Sequence, residues 1–211
     1  MIGDYLVANY DAVDINKDGV ISYAMMKGQE GNVEAEYRTQ YGVEDANAIL
    51  KAAGKPEIKY FDAANKDCYQ VDQDGAWSAK AAKEYMDTNF VTYNEAAGNM
   101  IELVICNNDG MAEGVVASLQ DKGYNKGDGH VVPVFGVDAT ENAVALINEG
   151  AMIGTVKQDA EGMAAAICQT VQALAAGTAT TDALAGLSDE RFSVASDCAS
   201  KLFVAYAPYT K

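Results

Sequence analysis

The chain has 211 residues, of which 49% are hydrophobic, so it can bury a sizeable core as one domain or as one domain with an appendage and is no disordered chain. A formal charge of -16, from 31 acidic and 15 basic residues, argues against a nucleic-acid surface and suits calcium, polar solutes or a basic partner. No apolar run reaches the roughly 18 residues of a membrane span, and the opening Met-Ile-Gly-Asp-Tyr lacks the basic and apolar regions of a signal peptide.

In chain order, the pattern predicts a helix near Asp4 to Val13, a polar loop, a strand from Ile21 to Lys27, and a helix from Val33 to Ala53 stopped by Gly54. A second strand is expected at Ile58 to Phe61, then an irregular polar segment to Gly75 and a helix from Trp77 to Met86. Ile101 to Cys106 is the most apolar strand, followed by a helix from Gly110 to Lys122. Val132 to Val137 and Ile153 to Lys157 are further strands, with a helix to about Asn148 between them and another from Asp159 to Ala176. The segment after Gly177, rich in Thr, Ala, Asp and Ser, reads as a loop before a last apolar run, Leu202 to Tyr206. Short apolar runs alternating with helical patterns imply an α/β fold, doubly wound, with a mainly parallel sheet flanked by helices.

The loop after the first helix carries a calcium pattern. Asp14-x-Asn16-x-Asp18-Gly19 places oxygen donors at loop positions one, three and five, the Val20 carbonyl at seven and Ser22 at nine, while Gly19 allows the sharp turn. Position twelve is Met25, whose thioether cannot chelate calcium, so the loop is either a solvated acidic turn or receives a carboxylate from elsewhere. Four cysteines, Cys68, Cys106, Cys168 and Cys198, have no Cys-x-x-Cys spacing; Cys106 and Cys168 read as small buried hydrophobes and no disulfide is expected. His130 is the sole histidine, which removes most imidazole-based metal and triad schemes.

In a doubly wound sheet, ligands bind beyond the carboxyl ends of the strands. The residues there are Asn32, Asn107, Asn108, Asp109, Asp138, Gln158 and Asp159, all amides or carboxylates, which suit vicinal hydroxyls. Trp77, expected to start a helix at the same end, offers a stacking face for a pyranose. Singly, each has a plainer reading: Asn108 and Asp138 as helix caps, with Asp138 to Glu141 as a capping box, Trp77 as a packing residue and Arg38 as a solvated charge.

Five blocks carry a resemblance: Asp14-Ile-Asn-Lys-Asp-Gly-Val-Ile, Lys27-Gly-Gln-Glu-Gly, Glu102-Leu-Val-Ile-Cys-Asn-Asn-Asp, Val132-Pro-Val-Phe-Gly-Val-Asp-Ala and Gly150-Ala-Met-Ile-Gly-Thr-Val. In order and spacing they resemble the glucose/galactose-binding family, type I periplasmic binding proteins of bacterial ABC transport and chemotaxis, from about Asp4 to Gln158. The match covers the family's second half; complete members carry another α/β lobe ahead of it and clamp the sugar between the two. The resemblance implies that Glu102, from a distant strand, completes the calcium site with Asp14, Asn16, Asp18, Val20 and Ser22, about seven oxygens with a bidentate Glu102. It places the sugar positions on Asn32, Glu34, Arg38, Trp77, Asn108, Asp138 and Gln158. Asn32, Glu34 and Gln158 differ in type from the family's usual residues, as does Ser22 in the loop.

The resemblance implies three parts: a calcium-binding lobe over 1–158, a helix and loop over 159–200 that would pack on the other lobe, and a returning strand and tail over 201–211. The expected function is that of a truncated solute-binding protein which retains one calcium ion and has lost or weakened monosaccharide binding. A functional glucose/galactose component of an ABC transporter and the ligand-binding domain of a LacI-type regulator are the alternatives. No nucleophile elbow, phosphate loop or histidine base supports an enzyme. Expected partners are an ABC permease and a chemoreceptor for complete members. The stripe of Met163, Ile167, Val171 and Leu174 would lack a cover, which implies either a homodimer, the preferred reading, or a helix docked elsewhere on the chain. Neither nucleic acid nor membrane insertion is expected. The family implies a periplasmic or extracellular location, whereas the N-terminus carries no export signal.

Overall fold

The structure is a computed structural model describing residues 1–211. It divides into a first unit, Met1–Thr155 with Pro208–Lys211, and a second, Val156–Ala207. The first contains α1 (Ile2–Val13), β1 (Ser22–Lys27), α2 (Val33–Ala52), β2 (Lys59–Tyr60), β3 (Gln70–Val71), α3 (Ala79–Thr92), β4 (Leu103–Cys106), α4 (Asp109–Asp121), β5 (Val134–Val137) and α5 (Glu141–Glu149). β6 (Gly154–Lys157) leads out of it, and β9 (Ala207–Thr210) returns.

The sheet runs β2-β1-β4-β5-β6-β9, with β3 also beside β1. Pairings of β1 with β2, β3 and β4, and of β4 with β5, are parallel. The side-chain period of two sorts each strand between two cores. Ala24, Met26, Val104, Cys106 and Val134 face Met86, Met111, Val115 and Ile147 of α3, α4 and α5. Tyr23, Met25, Leu103, Ile105 and Phe135 face Leu6, Tyr10, Ala46 and Leu50 of α1 and α2. Burial on both faces is why these strands read as continuous apolar runs, and each large side chain so buried contributes about 1.5–3 kcal/mol. Helices α3 and α4 come close because Gly114 has no side chain: a Cβ there would lie 2.0 Å from the Ala79 carbonyl oxygen.

Several boundaries differ from the sequence reading. β2 and β5 are shorter than expected, since Ile58 and Val132 are buried but unpaired in the ladders. α3 continues beyond Met86 to Thr92 because Phe90, four residues on, reaches the same core. The irregular segment before Gly75 contains β3.

The second unit holds α6 (Ala160–Ala175), α7 (Thr180–Ala185) and the antiparallel pair β7 (Phe192–Val194) and β8 (Leu202–Val204). The expected loop after Gly177 is therefore partly ordered into α7 and β7. Asp159 caps α6, accepting from Gly162 N at 2.9 Å, and Arg191 joins it at 2.8 Å while also pairing with Asp189. α6 leaves Ile167, Val171 and Leu174 exposed; Ile167 and Val171 line a groove of about 460 Å³ together with Met163, Leu184 and Phe203. Cys168, expected to be buried, is exposed on this helix; Cys106 is buried, and burial pushes its thiol well above the usual range.

Candidate solute and cation sites

The polar loop between α1 and β1 is built by its own side chains. Asn16 Oδ1 accepts from Asp18 N at 2.9 Å, Asp18 Oδ1 from Val20 N at 2.9 Å, and Asp14 Oδ2 from Gly19 N at 3.0 Å. Gly19 has φ +86°, the left-handed turn the pattern requires. Glu102 lies just before β4 and is fully buried beneath this loop. Its Oε1 accepts from Ile15 N at 2.7 Å and Asn16 N at 3.1 Å, and its Oε2 from Ser22 N at 2.9 Å and Ser22 Oγ at 3.3 Å. The distant carboxylate thus meets the loop, although four protein donors already occupy it.

The loop passes one test of fit to a cation and not another. Asp14 Oδ1 is buried with no hydrogen-bond partner, an orphan that a cation would satisfy. Burial raises the Glu102 carboxyl above the ordinary glutamate range, backbone N–H groups oppose that, and the Asp14 charge adds to it. Yet no three His, Cys, Asp or Glu side chains gather closely enough to form a metal cluster by themselves. Half of the expected donors are other oxygens: the Asn16 amide, the Val20 carbonyl and the Ser22 hydroxyl.

At the carboxyl ends of β1, β4 and β5, the first unit brings together five of the seven residues expected at a sugar. Arg38, on α2, donates from Nη1 to the Asn107 carbonyl at 2.8 Å and from Nη2 to Glu34 Oε2 at 3.3 Å. Its guanidinium carbon sits 5.6 Å from the centre of the Trp77 ring. Asn108 caps α4 by accepting from Met111 N at 2.9 Å, and its Nδ2 donates to the Trp77 carbonyl at 3.3 Å. Asp138 follows β5 with φ +123°, an unusual conformation for a side-chain-bearing residue. Burial raises its carboxyl, the Arg38 charge lowers it, and Asp109 and Glu34 raise it further, so one electrostatic site contains all of these groups.

Asn32 caps α2, its Oδ1 accepting from Glu34 N at 3.0 Å and Ala35 N at 3.2 Å. Gln158 belongs to the second unit, where its Nε2 donates to the Tyr206 hydroxyl at 3.1 Å.

Some details correct the sequence reading. Asp138 is not the cap of α5: Thr140 is, accepting from Ala143 N at 3.2 Å. Trp77 does not start α3, which Ser78 caps; it stands just outside, with φ +55°. Arg38 is half-buried and tied to Asn107 rather than solvated. Of the residues expected on the rim, Asn107 and Asp109 are fully buried. Asn107 Oδ1 accepts from Gly28 N at 3.1 Å, and Asp109 accepts from Thr155 Oγ1 at 2.6 Å and Thr140 N at 2.8 Å. They fasten strand ends together, a role that their type and position alone did not distinguish from ligand contact.

A periplasmic binding protein domain matches residues 1–179 of this chain. The chain is 34% identical over 171 residues to the D-galactose/methyl-galactoside binding periplasmic protein MglB of Haemophilus influenzae, covering 81% of this chain and 45% of that protein. Among solved structures it resembles a twin-arginine translocation pathway signal protein from Burkholderia phytofirmans, with TM-score 0.61, 20% identity, and coverage of 99% of this chain and 54% of that one. It also resembles an ABC transporter solute binding protein from Clostridium phytofermentans with bound beta-D-glucose, with TM-score 0.58, 23% identity, and coverage of 82% and 50%. At such identities the two structures bear on the fold alone. The chain spans about half the length of the relatives it matches. No helix is long and apolar enough to cross a membrane. The fold, and a domain match covering residues 1–179 of 211, place the chain in the periplasmic binding protein domain family, whose members bind solutes rather than catalyse reactions.

Proposed function

We propose that these residues form one lobe of a monosaccharide-binding protein that holds one calcium ion and, by itself, grips its sugar weakly. The observation that carries the sugar reading is the convergence of Arg38, Trp77, Asn108 and Asp138 at one end of the sheet. They offer a stacking face, a guanidinium and a carboxylate, the groups that recognise a pyranose. The galactose named for the Haemophilus influenzae relative supports a hexose. In a complete transport system the partner would be an ABC permease, and the location periplasmic.

A sugar held from one side leaves its other hydroxyls in water, while the rigid-body entropy of capture is still lost in full. The expected dissociation constant for the chain alone is therefore about millimolar or weaker, about 4 kcal/mol of binding or less. Titration calorimetry with glucose and galactose, in calcium and after chelation, measures it. Micromolar binding would overturn the weak-lobe reading and favour a complete transport receptor site within this chain.

Calcium would be held by Asp14, Asn16, Asp18, the Val20 carbonyl, Ser22 and Glu102, and would supply positive charge between two buried carboxylates. The orphaned Asp14 Oδ1 supports this reading. The exposed Ile167, Val171 and Leu174 support self-association as a homodimer. Sedimentation of the chain against Ile167→Glu checks this, with the variant expected to shift toward monomer; two identical monomeric profiles would sink the dimer.

A further inference from the structure

Lys27, the last residue of β1, is 1% exposed and none of the solute-contacting roles above uses it. A charged group is held dry only where it is paired. Its ammonium lies 3.0 Å from Glu30 and 2.8 Å from Glu36, and 4.1 Å from the centre of the Tyr69 ring. Glu36 Oε1 also accepts from Gly31 N at 2.8 Å, and the Tyr69 hydroxyl donates to Glu30 at 3.1 Å. These contacts clamp the turn Gly28–Asn32 and the first turn of α2; Arg38 projects from the next turn of that helix.

The same point of the chain supports Trp77. A Cβ on Gly28 would lie 2.1 Å from the indole carbon Cδ2, so the ring rests against the Gly28 backbone. The Lys27 carbonyl accepts from Asp72 N at 2.9 Å. Asp72 is buried, and its Oδ2 accepts from Ser78 N at 2.9 Å and Ser78 Oγ at 2.8 Å, fixing the residue after Trp77. Trp77 is therefore held from below through Gly28 and from its carboxyl side through Ser78. Its left-handed backbone persists only where surroundings over-determine it.

We propose that Lys27 and Asp72 are positioning residues for Trp77 and Arg38 in the solute site, acting through the Gly28–Asn32 turn and Ser78. The assignment rests on the solute reading above. It predicts that the buried charges set the environment of the indole even with no solute present.

Trp77 is the only tryptophan, so fluorescence reports this position alone. The experiment compares Lys27→Met, Glu36→Gln and Asp72→Ala with the parent by emission maximum, acrylamide quenching and far-ultraviolet circular dichroism. Lys27→Met and Asp72→Ala are expected to shift emission to the red and increase quenching while the circular dichroism stays native. Glu36→Gln, on a partly exposed side chain and therefore safe for folding, should move both in the same direction by less. Native-like variants with parental emission and quenching would overturn the proposal. If Lys27→Met or Asp72→Ala fails to fold, unchanged Trp77 fluorescence in Glu36→Gln overturns it, and a red shift supports it. Titration of the parent with glucose and galactose is read separately: no saturation there sinks the solute reading and leaves the positioning result standing.

Discussion

At the scale of single residues, two positions give sharp expectations. Gly28 does not have a left-handed φ, so its importance is steric: the indole of Trp77 occupies the place of a Cβ. Gly28→Ala is expected to cost about 1–3 kcal/mol, the range for overpacking a filled site, measurable by denaturant unfolding with Trp77 emission as the probe. Glu36 carries a pH dependence. Hydrogen bonding to Lys27 first, and then to Gly31 N, holds its carboxyl below the ordinary glutamate value. A depressed folded value means stability present above the unfolded value of about 4.3 and lost as pH falls through the folded one. Glu36→Gln should therefore give a shallower loss of stability on acidification below about pH 4.3 than the parent. An unchanged slope would show that the pair carries no linkage.

At the scale of elements, the loop between α1 and β1 and the strand β4 form one functional piece although Glu102 is far from Asp14 in sequence. Glu102→Gln removes a buried charge and keeps an amide oxygen that can still accept from Ile15 N, but its NH2 then faces Ser22 N. The variant should therefore fold with lowered stability, and its calcium response is read as the difference between calcium and chelator. Most of the stabilisation by calcium should vanish in this variant. Should the calcium response survive Glu102→Gln but not Asp14→Ala, Glu102 is a cap of the loop and not a ligand. Element identity was legible from the sequence where periodicity was strong: α2, α4 and β4 lie within a residue or two of their expected bounds. It was not legible at β3 and α7, because two-residue strands and one short helix carry too few periodic positions to signal themselves.

At the scale of the whole molecule, the -16 charge opposes compaction and a bound cation relieves it. An ion that binds only the folded state at a hundredfold excess over its dissociation constant adds about 2.7 kcal/mol. For a chain of this length that corresponds to a rise of about 5–10 °C in melting temperature. Differential scanning calorimetry with calcium and with chelator tests it, and coincident transitions would remove the cation from the account.

The sequence by itself determined the α/β class, the parallel sheet and the turn chemistry of the loop, because these depend on local periodicity and on residue types at fixed offsets. Asp14, Asn16, Asp18 and Gly19 make their turn with one another, so their spacing was sufficient. Only the tertiary structure decided which rim residues face outward. Asn107 and Asn108 are neighbours of one type, yet one is buried to hold Gly28 and the other bridges Trp77 to α4. It also decided that Lys27, at the end of an apolar strand, is a paired interior charge, since its partners Glu30, Glu36 and Tyr69 come together only when α2 and β3 pack beside β1. Long-range pairing of polar groups leaves no periodic trace in the chain; its energy exists only after the segments have met.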